Sequence, residues 1–543
     1  MSNAVYQIRK PENAKMLDYL PGSVEKADLK DRIAELKKTT LEIPLIIGGQ
    51  EIRTGNTGQS IIPHNKSHVL ATYHKAGEKE VSMAIEAALN AKKAWIDIPW
   101  DHRLAIFLKA AEMMLEDEWR YTIVAATMLC QSKTAYEADM EAAAELMDFW
   151  RFNPYFARQI FEEQPVNVQD MLNRQEYRPL EGFVLAVSPF NFTAIAANLP
   201  TAPAMVGNTV LWKPAAASLY SSYFVMKLLQ EAGLPDGVIN FIPGEGNLVG
   251  TTAMNHPMLA GIHFTGSTAT FNKMWHTVAQ NAGKYVSYPR LVGETGGKDF
   301  VFAHATAEID SLVTAIVAGA YAYQGQKCSA TSRVYIPRSI WPEVKTKLLD
   351  VVAGIKFGDP EDFTNYMAAI IEQAAFDSIK SYIQFARDSE EAEIIVGGEC
   401  DDSVGFFVQP TVILTTNPKF KTMEEEIFGP VITVYVYEDQ DYQQALDLCE
   451  STSRYALTGA IFAQDRGALV EMEKRLYYSA GNLLINEKTC GMFIGLHPFG
   501  GARHSGTNEK IGKVNMLRWL SPRVIKEKFC PAKDYRHPMM KES

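Results

Sequence analysis

The stretch GFVLAVSPFNFTAIAANLPTAPAMVGNTVLWK, residues 182–213, decides the fold. The apolar runs at its two ends are strand-like, and the residues near AIAANLPTAPAM (194–205) between them carry a helical pattern. A strand, a helix and a second strand in this order form the unit from which parallel sheets are built. We therefore expect residues 182–213 to begin a parallel sheet.

The alternation of strands and helices continues on the C-terminal side of this stretch. Helical patterns at residues 218–233 and 267–283 alternate with short apolar runs at residues 237–243 and 260–264. A second alternating region starts near Leu291 and reaches GNLLINE. The pattern predicts an α/β protein with parallel sheets, helices on both faces and right-handed connections.

Length, composition and charge narrow the class of protein. A chain of 543 residues favours two or three domains. The net charge of −11, without a basic block, argues against a nucleic-acid partner, and the apolar runs are too short or too broken to cross a membrane. The N-terminus lacks the apolar core of a signal peptide, so we expect a cytoplasmic protein, or a mitochondrial matrix protein if a presequence has been removed.

The cysteines do not form a metal-binding pattern. No CxxC occurs in the sequence, so we expect no zinc site and no redox pair. The six cysteines are widely separated: Cys130, Cys328, Cys400, Cys449, Cys490 and Cys530.

Three glycine or lysine features suggest a phosphate or nucleotide site. The stretch Gly244–Gly250 misses the GxGxxG fingerprint by one residue, and a glycine-rich turn is the alternative. In HFTGS, Gly266 allows a tight turn and Ser267 can cap the next helix, whose N-terminus favours an anion; an ordinary helix cap is the alternative. Lys213 ends a strand, where it can contact a ribose or a phosphate, or lie exposed at the surface.

The stretch GQKCSATSR, residues 325–333, contains the candidate nucleophile, Cys328. Its small neighbours leave room for a substrate, and a helix beginning there would lower the pKa of the thiol. Inert packing of the side chain is the alternative for a single cysteine.

Two further residues can serve a thiolate that attacks a carbonyl. Asn191 follows a strand and can donate a hydrogen bond to the oxyanion, although it can also cap a helix. Glu294, in the glycine-rich LVGETGGKD, can activate water, although it can also be a solvated turn residue. Because no histidine lies beside these segments, a Cys–His protease has little support.

Seven motifs together resemble the NAD(P)-dependent aldehyde dehydrogenase family. They occur in family order between Pro44 and Arg523: SPFNF, LWKP, FTGS, ETGGK, GQKCSA, EEIFGP and PFGG. The stretches AAAELMDFWRFN and PFGGARHSGTN resemble the branch that oxidises L-glutamate γ-semialdehyde to L-glutamate, the second step of proline degradation. The resemblance implies a Rossmann-like cofactor domain, an α/β catalytic domain and a small β element for oligomerisation.

The resemblance also implies a role for each matching residue. The catalytic residues are Cys328 as nucleophile, Asn191 as oxyanion donor together with the Cys328 N–H, and Glu294 as the base for deacylation. The residues implied for the cofactor are Ser188, Lys213, Gly266, Ser267, Glu426 and Phe428. The residues implied for the substrate are Phe192, Ser329, Gly491, Met492 and Phe499.

The implied domain limits follow the same resemblance. They are residues 1–157 and 179–289 for NAD binding, 290–488 for catalysis, 158–178 and 512–543 for oligomerisation, and 489–511 for a loop that anchors the substrate. The implied partners are a small-molecule substrate and further copies of the chain, in a homodimer or larger assembly.

Two positions depart from the family pattern. Many members have an acidic residue three positions after the ribose lysine, and Ala216 stands there, so charge alone leaves NAD and NADP open. The branch resemblance favours NAD. In the anchor loop, Met492 replaces the usual small residue after Gly491, which leaves the substrate assignment dependent on backbone N–H groups. Oxidation of a different aldehyde, a CoA-acylating relative, a cysteine hydrolase and a catalytically silent protein are the alternatives.

Overall fold

The structure is a computed structural model that describes residues 7–541. Residues 1–6 and 542–543, the outer ends of the predicted domains, lie outside the described residues. The N-terminal part contains helix α1 (Val24–Leu36) and strands β1 (Leu41–Ile43), β2 (Leu45–Ile47), β3 (Gln50–Ile52), β4 (Thr57–Ile62) and β5 (Asn65–His74). A small sheet has the order β1-β5-β4.

A group of helices follows this small sheet. They are α2 (Glu78–Asp97), α3 (Trp100–Met113), α4 (Asp117–Gln131), α5 (Ala135–Ala138) and α6 (Glu145–Glu162). A π-helical stretch, Asp139–Ala144, joins α5 to α6. Such stretches are rare and frequently occur at functional sites.

The first large sheet is built around residues 182–213, which form a strand, a helix and a second strand. Its elements and their neighbours are β6 (Met171–Pro179), β7 (Phe183–Val187), α7 (Thr193–Met205), β8 (Thr209–Lys213), α8 (Leu219–Ala232), β9 (Ile239–Phe241), α9 (Gly246–Met254), β10 (Leu259–Thr265), α10 (Thr268–Gln280) and β11 (Arg290–Glu294). The strand order is β11-β10-β7-β8-β9-β2-β3. The strands from β11 to β9 are parallel, whereas β2 and β3 add antiparallel strands at one edge.

The second large sheet has the order β14-β17-β18-β13-β12-β20-β21. It is parallel except for the antiparallel edge strand β14. Its strands and the surrounding elements are β12 (Asp299–Ala303), α11 (Ile309–Tyr321), β13 (Thr331–Pro337), α12 (Trp341–Ala353), α13 (Gln373–Arg387), β14 (Ala392–Val396), β15 (Cys400–Asp401), β16 (Phe407–Val408), β17 (Thr411–Thr415), α14 (Lys421–Glu424), β18 (Val431–Tyr437), α15 (Tyr442–Thr452), β19 (Tyr455–Ala456), β20 (Thr458–Phe462), α16 (Arg466–Arg475) and β21 (Asn482–Ile485).

The chain then returns to the first sheet and ends in a two-stranded ribbon. The last elements are β22 (Ala502–Arg503), α17 (Lys513–Arg518) and β23 (Leu520–Lys528). Strand β23 pairs with β6 in antiparallel register, from Leu520 opposite Pro179 to Lys528 opposite Met171. Short 3₁₀ turns lie at Ala216–Ser218, Ala282–Lys284, Ala322–Gly325, Asp439–Asp441 and Pro538–Met540.

Each large sheet separates two hydrophobic cores. In β7, Val184 and Ala186 face one core while Phe183 and Leu185 face the other, because successive side chains of a strand point to opposite faces. Strand β12 divides its side chains between two cores in the same way. Burial on both faces explains why these strands read as continuous apolar runs.

The predicted α/β class with two parallel sheets is confirmed, and one strand lies elsewhere than expected. Strand β11 pairs in parallel with β10, so residues 290–294 belong to the first sheet and not to the second region, where we placed them. The segment predicted at residues 158–178 also begins inside α6. Within residues 7–541, no helix is both long and apolar enough to cross a membrane.

Candidate active site

A cavity of about 390 Å³ contains the candidate nucleophile and all of the predicted substrate residues. Residues from both large α/β regions, from α6 and from the segment after β21 line it. The predicted residues in its wall are Phe192, Cys328, Ser329, Gly491, Met492 and Phe499. The structure therefore brings together residues that are far apart in the sequence.

Cys328 lies in a turn before β13, and its side chain is only partly buried. No helix begins at this cysteine, so no helix N-terminus lowers the pKa of its thiol. Burial raises the pKa of the thiol well above its ordinary value, and the nearby Glu294 carboxylate raises it further. The resting cysteine is therefore a thiol, which must lose its proton before it attacks.

Glu294 is the last residue of β11, with a side chain 1% exposed, so it is not the solvated turn residue of the alternative interpretation. The Cys328 Sγ lies 3.7 Å from the Glu294 Oε1. Burial raises the pKa of the Glu294 carboxyl, while Lys510 opposes this by stabilising the charged form. The carboxylate is thus placed to accept a proton at the reacting centre.

The glycines after Glu294 allow two close approaches. A Cβ at Gly297 would come within 2.0 Å of the Cys328 carbonyl oxygen, and one at Gly296 would come within 2.1 Å of the Glu426 Oε2. Both distances are too short for any side chain. The glycine pair is needed because the nucleophile turn and Glu426 both pack against this backbone.

Asn191 connects the first sheet to the nucleophile turn. Its Nδ2 donates a hydrogen bond of 3.0 Å to the carbonyl oxygen of Gln326, two residues before Cys328. The N-cap of α7 is Phe192, and no side chain caps that helix, so Asn191 is not a helix cap. The buried amide is fixed beside the nucleophile segment.

The predicted cofactor residues on the first sheet lie at the carboxyl ends of neighbouring strands. Lys213 ends β8, Ser188 follows β7, and Gly266 and Ser267 follow β10. Ser267 caps α10 by accepting a hydrogen bond from the Thr270 N–H, as predicted. The Ser188 hydroxyl is already engaged, since it donates to the Ala196 carbonyl and accepts from the Trp212 Nε1.

The turn after β10 also touches the catalytic centre. The Gly266 N–H donates to the Glu294 carbonyl oxygen at 3.2 Å.

Glu426 accepts a hydrogen bond of 2.9 Å from the Gly297 N–H, and burial raises its pKa to about 7. Phe428 has a positive φ of 57° and packs edge-on against Phe190.

These groups suit a dinucleotide. The N-terminus of α10 offers free N–H groups to a diphosphate, and Lys213 and Glu426 can hold ribose hydroxyls.

Sequence reasoning missed a buried charge cluster made of Lys133, Glu137, Glu141 and Lys327. The Lys327 Nζ lies 2.6 Å from the Glu137 Oε2 and 2.6 Å from the Glu141 Oε1, and Lys133 also pairs with Glu141. The Lys133 ammonium lies 4.5 Å from the ring centre of Phe192. The two acids belong to α5 and to the π-helical stretch. The cluster therefore joins these elements to Lys327, the residue before the nucleophile.

Removing one cation from this cluster should be strongly destabilising. In Lys133→Met, Glu141 loses one of its two cations inside the protein, and we expect the free energy of unfolding to fall by about 3–5 kcal/mol in urea titrations. Lys93→Met, which breaks an exposed pair with Asp97, is the control and should change it by less than about 1 kcal/mol. A similarly small change for Lys133→Met would contradict a tightly coupled cluster.

Sequence reasoning also missed Lys510, whose ammonium forms a buried ion pair with Glu294. No local signal distinguishes this lysine, because its partner lies in a distant segment of the chain. Its position two residues after the stretch PFGGARHSGTN, which carried the resemblance, was the available hint.

Comparison with known proteins identifies the family. The aldehyde dehydrogenase family profile matches residues 52–525. The chain is 48% identical over 534 residues to the Δ1-pyrroline-5-carboxylate dehydrogenase of Dictyostelium discoideum, covering 98% of this chain and 96% of that protein. It is 45% identical over 533 residues to the human mitochondrial protein of that name, covering 98% and 94% of the two chains.

A solved structure of a similar protein has the same fold as this chain. The Δ1-pyrroline-5-carboxylate dehydrogenase of Mycobacterium tuberculosis, bound with NAD, superposes with a TM-score of 0.96 at 48% identity and 100% coverage of both chains. The superposition covers the whole length of both chains. This chain therefore belongs to the aldehyde dehydrogenase family.

Proposed function

We propose that this protein oxidises L-glutamate γ-semialdehyde, the open form of Δ1-pyrroline-5-carboxylate, to L-glutamate with NAD. The observation that carries the proposal is the contact between the Cys328 thiol and the Glu294 carboxylate, 3.7 Å apart beside the cavity. The full-length identity to dehydrogenases named for this substrate supports the choice of aldehyde. The NAD-bound relative supports the choice of cofactor.

The reaction begins at the sulfur atom. Cys328 passes its proton to Glu294 and forms a C–S bond to the aldehyde carbon, and the carbonyl oxygen becomes an oxyanion. The Asn191 amide and the Cys328 N–H are the proposed donors to that oxygen. When bound, NAD supplies the hydride acceptor for this chemistry, and Lys213, Ser267 and Glu426 are the residues proposed to hold it.

The second half of the reaction releases the acid. Loss of hydride leaves a thioester on Cys328. Glu294 releases the thiol proton to solvent and then accepts a proton from the water that attacks the thioester. The C–S bond then breaks, glutamate is released, and the Cys328 thiolate regains a proton from Glu294. Because Glu294 is buried, water hydrates its carboxylate poorly. The charged form is therefore a stronger base than an exposed carboxylate.

The cavity suits a short chain with polar ends. Phe192 and Phe499 are proposed to contact the aliphatic part of the substrate. Gly491 has a φ of +115°, and the loop around it is proposed to offer N–H groups to the α-carboxylate. Because Met492 has no hydroxyl, this assignment relies on the backbone and on the Ser329 hydroxyl.

The test is a comparison of aldehydes. The protein is mixed with NAD and either glutamate semialdehyde or propionaldehyde, and formation of NADH is followed by absorbance. We expect a larger kcat/KM with the semialdehyde. Activity with propionaldehyde and none with the semialdehyde would reject the substrate, and no activity with either would reject the reaction.

We also propose that the partner of this protein is a second copy of itself. The ribbon of β6 and β23 leaves apolar side chains exposed, with Leu172 36% exposed and Val524 59% exposed. Burial of such side chains against another chain is favourable. Light scattering after gel filtration should give a mass of at least twice 60.5 kDa, and a mass equal to one chain at micromolar concentration would contradict this proposal.

We propose that this protein is located in the cytoplasm, or in the mitochondrial matrix if a presequence has been removed. Fractionation of the native cells with an antibody to the protein distinguishes these two compartments.

A further inference from the structure

We propose that Lys510 is a positioning residue for this reaction, whose ammonium holds the Glu294 carboxylate beside Cys328 and balances the negative charge that passes between them. The inference rests on the proposed roles of Cys328 and Glu294, and it adds a residue to which neither the sequence motifs nor those roles assign a task.

The backbone delivers Lys510 to the site. The segment from Phe499 to Ile511 folds back on itself, since these two residues form an antiparallel bridge. A second bridge pairs Gly506 with Glu294, and the Thr507 N–H donates to the Gly293 carbonyl oxygen at 2.9 Å. The segment is therefore fixed to the end of β11, the strand that carries the base.

The side chain completes the arrangement. The Lys510 ammonium forms an ion pair with the Glu294 Oε2, while the Cys328 Sγ lies beside the other oxygen, Oε1. The side chains of Lys510 and Glu294 are 5% and 1% exposed. The ammonium also lies 5.1 Å from the ring centre of Phe499, a cation–π contact that limits its movement.

The surrounding charges make this cation important for the thiol. Glu294, Asp299 and Glu426 are acids that raise the pKa of Cys328, whereas Lys510 lowers it. Glu145 is a further acid facing Lys510. The cation therefore opposes a predominantly acidic environment.

Proton balance explains what the lysine does. Before attack, the site holds a thiol, a carboxylate and an ammonium. When the S–H bond breaks and the proton passes to Glu294, the site holds a thiolate, a carboxylic acid and the same ammonium. One negative charge faces one positive charge in both states, so the transfer requires no uncompensated buried charge. Without the ammonium, both states would contain an unpaired buried anion.

The test follows the cysteine directly. Iodoacetamide alkylates the thiolate, and mass spectrometry of the peptide containing Cys328 gives the rate at each pH. In Lys510→Met we expect the pKa of the thiol to rise, because the cation that lowers it is removed, so that the rate at pH 8 falls about tenfold. Lys510→Arg should restore most of the rate, and Lys513→Met, which removes an exposed surface cation, should not change it.

The same variants separate positioning from stability. We expect Lys510→Met to lower kcat about 10- to 100-fold with less than a threefold change in KM for the aldehyde, while circular dichroism shows a folded protein. Because Lys510→Met leaves the Glu294 carboxylate without its cation, the experiment is repeated in a Glu294→Gln background. There Lys510→Met should still slow alkylation, since the ammonium acts on the thiolate directly.

An alkylation profile that Lys510→Met leaves unchanged in either background would overturn the inference. The alkylation needs neither aldehyde nor NAD. If the wild-type protein oxidises no aldehyde, the proposed function fails while the alkylation result stands. If it oxidises the semialdehyde and the profile does not move, only the role of Lys510 fails.

Discussion

Replacing Cys328 with alanine should lower aldehyde oxidation by on the order of 10⁴-fold or more, because removal of the nucleophile eliminates the covalent adduct on which both halves of the reaction depend. Binding of NAD should be retained, since the residues proposed to hold it lie at the carboxyl ends of β7, β8 and β10. The measurements are steady-state formation of NADH and a fluorescence titration with NAD.

A second cysteine provides the control for this experiment. Cys530 is exposed and lies after β23, so Cys530→Ala should keep the wild-type rate. Residual activity of Cys328→Ala above a few per cent of wild type would show that another group begins the reaction. Loss of NAD binding together with activity would instead indicate that the nucleophile turn supports the cofactor site.

Replacing Glu294 with glutamine should separate the two halves of the reaction. The amide cannot accept a proton from water, so we expect the steady-state rate to fall about 10²- to 10⁴-fold. Rapid mixing should still give a burst of NADH close to one per site, although a slower one, because solvent must then take the thiol proton while the thioester still forms and accumulates. Acid quenching followed by intact-protein mass spectrometry should detect the acylated Cys328.

Loss of the burst in proportion to the steady-state rate would assign a different role to Glu294. It would mean that removal of the thiol proton, across their 3.7 Å contact, is the main task of the carboxylate and that deacylation does not limit the variant. Glu425→Gln is a matched control, because this exposed carboxylate lies outside the cavity and bonds to the Tyr382 hydroxyl.

The sequence was informative where a feature is local. The apolar runs that became β7, β8 and β10 are short and bounded by turn residues, and their burial on both faces explains their composition. Ser267 has the side chain of a helix cap and is one. Cys328 was singled out by its small neighbours, of which Ser329 lines the cavity with it.

The sequence was less informative where a feature depends on distant partners. The run containing β11 is as compatible with the second sheet as with the first, and only its pairing with β10 decides between them. Lys133 and Lys510 are almost completely buried, whereas most lysines are exposed. Their burial is tolerable because acids from other segments reach them, and no local pattern reveals those contacts.

The ribbon of β6 and β23 has a consequence for synthesis of the protein on the ribosome. Arg174 and Glu527, which pair across it, are separated by 353 positions. At roughly 5–20 residues per second, β6 waits about 20–70 s for its partner strand to be translated. During that interval its unpaired N–H and C=O groups form an open edge, which is a template for pairing with another nascent chain. Translation of β23, the last strand, therefore covers the open edge of β6 and ends its exposure to other nascent chains.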